Sequence, residues 1–97
     1  MSREYEIMYI LDGDIQEEEY RRRAGEVDSE IEKAGGTIIK TDLWGRKRLA
    51  YEIKGCSWGS YVLTRFSTGS PKTVSRLEHY CKIHEDILRW MISRAVE

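Results

Sequence analysis

The chain has 97 residues, 40% hydrophobic and 34% charged, with one proline, so one folded domain over 1–97 is expected and a low-complexity or disordered chain is excluded. Its longest apolar run, Ile7 to Leu11, is far short of the roughly 20 residues of a membrane-spanning helix; acidic residues interrupt the N-terminus where an export signal needs apolar ones, and Cys56 and Cys81 suit neither a disulfide framework nor a metal knuckle. A reducing cytoplasm and no membrane partner are the expectation. The formal charge of −1 conceals an asymmetry: residues 1–35 carry five Lys/Arg against eleven Asp/Glu, the remainder eleven against six, so only the second part suits a polyanion.

Glu4 to Leu11 alternates as a strand, with Tyr5, Ile7, Tyr9 and Leu11 on one face and Glu6, Met8 and Ile10 on the other. Asp14 with Glu17 forms a capping-box pattern and predicts a helix start. Tyr20, Ala24, Val27, Ile31 and Ala34 then recur at helical spacing, and Gly35-Gly36 supplies the stop. Thr37 to Ile53 reads as one bent strand or two short ones, broken near Trp44-Gly45. Lys54 to Gly59 is expected as a hairpin loop and Ser60 to Ser67 as the returning strand. Ser70 caps a second helix that begins at Pro71 and turns Val74, Leu77 and Cys81 inward. Ile87 to Ile92 closes the chain as a strand.

The order β-α-β-β-α-β predicts an α+β fold, the ferredoxin-like split βαβ sandwich, with both helices on one face of a four-stranded antiparallel sheet. Right-handed crossovers put the first and third strands in the centre. The other sheet face is then open, presenting Glu6, Met8 and Ile10 beside Tyr61, Leu63 and Arg65, and such an exposed apolar patch marks an interaction site.

Arg21-Arg22-Arg23 each follow a glutamate by four residues, which predicts solvated ion pairs on a helix surface. Arg46-Lys47-Arg48 has no acidic residue nearer in sequence than Asp42 or Glu52, and fits a phosphate contact and an edge-strand guard against aggregation equally. His79, Cys81 and His84 match no zinc spacing, and Cys81 belongs to the core stripe. No nucleophile motif or phosphate-cradling glycine loop is present, and the chain holds no Asn and one Gln, Gln16. The expectation is therefore no catalytic residue, no metal, no cofactor and no small-molecule substrate.

The run Gly45-Arg46-Lys47-Arg48-Leu49-Ala50-Tyr51-Glu52-Ile53-Lys54 resembles the signature of the sixth protein of the bacterial small ribosomal subunit. Tyr5 to Leu11 is similar to that family's first strand, and Glu85 to Arg89 to the approach to its last. Glu52 departs from the pattern, which commonly has proline there. The resemblance implies a non-enzymatic platform protein that binds the central domain of small-subunit ribosomal RNA together with the eighteenth small-subunit protein. On that basis RNA contact is assigned to Arg46, Lys47 and Arg48, supported by Arg3, Tyr5, Arg89 and Arg94. Partner contact is assigned to Met8, Ile10, Tyr61 and Leu63 on the open face or to Leu49, Ala50 and Tyr51 at the strand edge. The competing expectation is a ligand-sensing or dimerisation module of the same fold that covers its open face with a second copy.

Overall fold

The computed structural model describes residues 2–95; Met1, Val96 and Glu97 of the expected domain lie outside the described residues. The elements are β1 (Arg3–Asp12), α1 (Glu17–Lys33), β2 (Gly36–Ile53), β3 (Cys56–Thr68), α2 (Lys72–Ile83) and β4 (Ile87–Arg94). They form one antiparallel sheet in the order β2-β3-β1-β4, with β1 and β3 central. Both crossovers pass through a helix, and the helices share one face, so the split βαβ sandwich follows.

Alternation along β1 decides what is buried. Ile7, Tyr9 and Leu11 meet Val62 and Phe66 of β3, and above them lie Tyr20, Ala24, Val27 and Ile31 of α1 with Leu77 and Cys81 of α2. This is the predicted stripe with one substitution: Val74 is only half-buried, and Thr73 takes the interior position, donating from its hydroxyl to the Ala34 carbonyl at 2.8 Å. A second polar tie joins α1 to the sheet. Asp28 accepts hydroxyl bonds from Thr41 at 2.8 Å and Thr64 at 3.4 Å, and burial, partly offset by those bonds, raises its carboxyl above the ordinary aspartate value.

Several local expectations are corrected. α1 begins at Glu17 behind Gln16, not at an Asp14 cap, because Asp14 is held in a turn in which its N–H donates to the Asp12 side chain at 2.9 Å. The helical segment of α2 starts at Lys72, with Pro71 flanking it, while Ser70 Oγ still accepts the Lys72 N–H at 3.2 Å. The hairpin loop is two residues, not six. Lys54 and Gly55 both have positive φ, 52° and 81°, the combination of a type I′ turn, so β3 starts at Cys56. β4 runs on to Arg94 and contains a bulge that tucks both Ile87 and Leu88 inward.

The Glu–Arg pairing on α1 is also only partly as expected. Arg21 pairs with Glu17 at 3.5 Å, but Arg22 pairs with Glu19 and Glu26. Arg23 leaves the solvated face altogether. It is 5% exposed and bonds Asp86 at 2.5 and 3.2 Å, Glu26 at 2.6 Å and the Tyr80 hydroxyl at 3.1 Å.

Candidate nucleic-acid and partner interface

The Trp44-Gly45 break is a bulge in β2, where the register against β3 shifts between Leu43 and Gly45. Gly45 adopts φ 91°, a conformation that costs a side-chain-bearing residue dearly. The gap in the ladder is filled from α1. The Tyr20 hydroxyl donates to the Tyr61 carbonyl and accepts the Gly45 N–H at 2.9 Å. Burial raises the Tyr20 phenol above its ordinary value, with the Gly45 bond opposing, so the group stays a protonated donor at neutral pH.

Beyond the bulge, alternation sends the three consecutive cations to opposite faces. Arg46 and Arg48 lie opposite Ser60 and Trp58, and their guanidinium carbons sit 4.2 and 5.9 Å from the Trp58 ring centroid. Lys47 lies opposite Gly59, and its ammonium is 5.3 Å from the Trp44 ring and 5.9 Å from the Tyr61 ring. Arg46 has an acidic partner after all. It donates to the Gly13 carbonyl at 2.8 Å and pairs with Asp14 at 3.1 Å, so one of the three cations is tied to the β1–α1 turn.

From Arg48 to Ile53 the ladder with β3 lapses, and Glu52 lies within this stretch. Here the chain leans over the open face. Leu49 is 8% exposed, with its Cδ2 packed over Gly59, so it is buried within the chain rather than displayed at an edge. Ala50 and Tyr51 remain exposed. The Tyr51 ring lies 5.5 Å from the Arg89 guanidinium of β4, and Lys54 Nζ donates to the Glu85 carbonyl at 3.4 Å.

The open face proper is a row of Met91, Met8 and Leu63 across β4, β1 and β3, followed toward the hairpin by Arg89, Ile10 and Tyr61. Met91 is 68% exposed. The other end of the row is polar, with Glu6 paired to Arg65 at 3.0 Å. Of the seven predicted RNA-contact residues, Arg46, Lys47, Arg48 and Arg89 gather at the hairpin end. Arg3, Tyr5 and Arg94 stand at the far end of β1, about 17 Å away for five residues of strand. Tyr5 is half-buried there, stacked on Phe66 at 5.8 Å.

Trp44 and Trp58 were not among the sequence candidates, although a tryptophan two residues before a basic triplet is a visible signal. Of the residues set aside as a metal cluster, His79 and His84 line one surface cavity and Cys81 does not. Cys81 is in the core and His84 packs edge-on against Tyr80 at 4.0 Å.

Cations held on aromatic rings beside an apolar sheet face define a class by their chemistry: a scaffold with one surface suited to a polyanion and another suited to a protein. Comparison with known proteins gives the family. Residues 4–94 match ribosomal protein S6, and the chain belongs to that family. It is 40% identical over 92 residues to the small ribosomal subunit protein bS6 of Natranaerobius thermophilus, covering 95% of each chain, and 40% identical over 95 residues to that of an Arthrobacter species, covering 98% of this chain and 93% of the other. The crystal structure of the 30S ribosomal protein S6 from Thermotoga maritima superposes with a TM-score of 0.90 at 30% identity, over 98% of this chain and 89% of that one. The chain is thus a structural, non-enzymatic protein of the small ribosomal subunit, found with ribosomes in the cytoplasm.

Proposed function

We propose that this chain acts as one domain over 1–97 that binds the central domain of small-subunit ribosomal RNA cooperatively with the eighteenth small-subunit protein. The observation that carries the reading is the adjacency of two unlike surfaces at the hairpin end: Lys47 and Arg89 on aromatic rings beside the Met8, Leu63 and Ile10 row, with Arg48 on the Trp58 ring across the sheet. Cations whose partners among the described residues are rings rather than carboxylates can give a full charge to phosphates. Arg46 contributes mainly by holding the turn. Arg3, Tyr5 and Arg94 form a second, separate contact for RNA that continues along β1. The apolar row, with Tyr61 beside it and Ala50 and Tyr51 at its hairpin margin, takes the protein partner; Leu49 supports that margin from beneath.

A net charge of −1 limits the counterion release this chain supplies alone. RNA affinity should therefore be weak for the isolated chain and at least tenfold stronger with equimolar partner, a coupling of about 1.4 kcal/mol. Filter-binding titrations of central-domain RNA with and without the eighteenth protein test this. Equal affinities would remove the cooperative reading, and a stable RNA-free homodimer would favour the dimerisation module.

A further inference from the structure

We infer that Tyr20, a residue of the helix layer, is a positioning residue for the RNA contact and acts through Lys47. The inference rests on the RNA-binding reading above. Tyr20 is 8% exposed, its ring belongs to the core, and its hydroxyl reaches the backbone of β2 and β3. That one oxygen binds both sides of the bulge, the Gly45 N–H and the Tyr61 carbonyl. Gly45 follows Trp44 directly, and Trp44 and Tyr61 are the two rings that flank the Lys47 ammonium. A single hydroxyl therefore fixes the backbone on which both walls of the lysine's seat are mounted.

The seat matters because lysine is among the side chains that lose most rotamer freedom when ordered. Two rings that already confine the ammonium reduce what remains to be lost when a phosphate arrives. Without the hydroxyl, the Gly45 N–H and the Tyr61 carbonyl must pair directly or take water. In either case β2 shifts against β3 at the bulge, and the Trp44 and Tyr61 rings no longer frame Lys47 in the same way. Tyr20→Phe keeps the ring in the core and removes only this link.

The test is a double-mutant cycle on the full chain, titrating central-domain RNA in the presence of the eighteenth protein, at a temperature where circular dichroism shows every variant folded. Lys47→Ala should weaken binding and lower the slope of log affinity against log salt by about 0.7–0.9. Tyr20→Phe alone should weaken binding about three- to tenfold, and should add nothing in the Lys47→Ala background. Amide resonances of Gly45 and Tyr61 should move in Tyr20→Phe while those where β1 pairs with β4 stay. If Tyr20→Phe has no effect, or the same effect in both backgrounds, Tyr20 is merely structural and the inference is overturned while the RNA reading stands. If Lys47→Ala itself changes neither affinity nor slope, the RNA assignment at this seat fails and the role of Tyr20 falls with it.

Discussion

Arg23 and Tyr9 are both buried polar residues of the helix–sheet interior, and their surroundings give them opposite energetic signs. Burial opposes the charge of Arg23, but the bonds to Asp86, Tyr80 and Glu26 outweigh it and the guanidinium stays protonated. Tyr9 is fully buried and its hydroxyl has no hydrogen-bond partner among the described residues, so burial, with the Asp28 charge adding and Arg23 only partly opposing, drives its phenol far up. Arg23→Ala should cost about 1–3 kcal/mol, since it strands the Tyr80 hydroxyl while the half-exposed Asp86 rehydrates. Tyr9→Phe should be neutral or stabilise by up to about 1 kcal/mol, because it deletes an unpaired group and keeps the ring. Urea unfolding of both variants reads the signs directly; a stabilised Arg23→Ala or a Tyr9→Phe that loses more than 1 kcal/mol would contradict these assignments. Neither role was legible in the sequence. Arg23 follows Glu19 by four residues and so looks like a surface pair, while two of its three partners, Tyr80 and Asp86, are 57 and 63 residues away.

Periodicity is local and long-range partners are not, and the same division holds for whole elements. The α1 stripe and the bend at Gly45 were legible because each depends on neighbours within a few residues, and the order of the strands because crossover handedness restricts it. The hairpin is shorter than expected because Lys54 joins Gly55 at positive φ in a two-residue turn, and the start of α1 departs from its capping signal because tertiary contacts override capping preference. Gly13 shows how. Its N–H donates to the Trp58 carbonyl at 2.9 Å, and a Cβ there would lie 2.6 Å from the Trp58 backbone, so the β1–α1 turn is pressed against β3 and Asp14 is drawn to Arg46 instead of capping. Gly25 is the contrasting case, exposed on α1 with open space where its Cβ would stand. Gly25→Ala should stabilise by about 0.5–1 kcal/mol through helix propensity alone. Gly13→Ala should destabilise, with a cost of about 1–3 kcal/mol for forcing the turn off the strand. Thermal unfolding of the two variants should shift in opposite directions, and a Gly13→Ala protein as stable as the parent would show that the turn can move freely.

At the scale of the whole molecule, the sheet separates an acidic stretch of the helix layer from the apolar row. The first turn of α1 carries Glu17, Glu18 and Glu19, on the helix layer, whereas the Met91–Met8–Leu63 row and the Lys47 and Arg89 cations face the other way. RNA approaching from the helix side meets acid; approaching from the hairpin end it meets cations beside an apolar surface that a protein can cover. This polarity makes the partner's contribution separable from the RNA's. Met8→Gln with Met91→Gln changes no charge, so counterion release should be unaltered. Met91 is 68% exposed and Met8 lies outside the core, so stability should change by no more than about 1 kcal/mol. Removing the apolar anchors should nevertheless weaken binding of the eighteenth protein at least tenfold, or about 1.4 kcal/mol. Linkage then fixes the third outcome. RNA affinity of the chain alone should match the parent, while affinity with the partner present should fall toward that lower value, because the coupling free energy is reciprocal. Three titrations decide it: partner alone, RNA alone, and RNA with partner. If the double variant binds RNA as tightly as the parent with the partner present, the open face is not where the coupling arises.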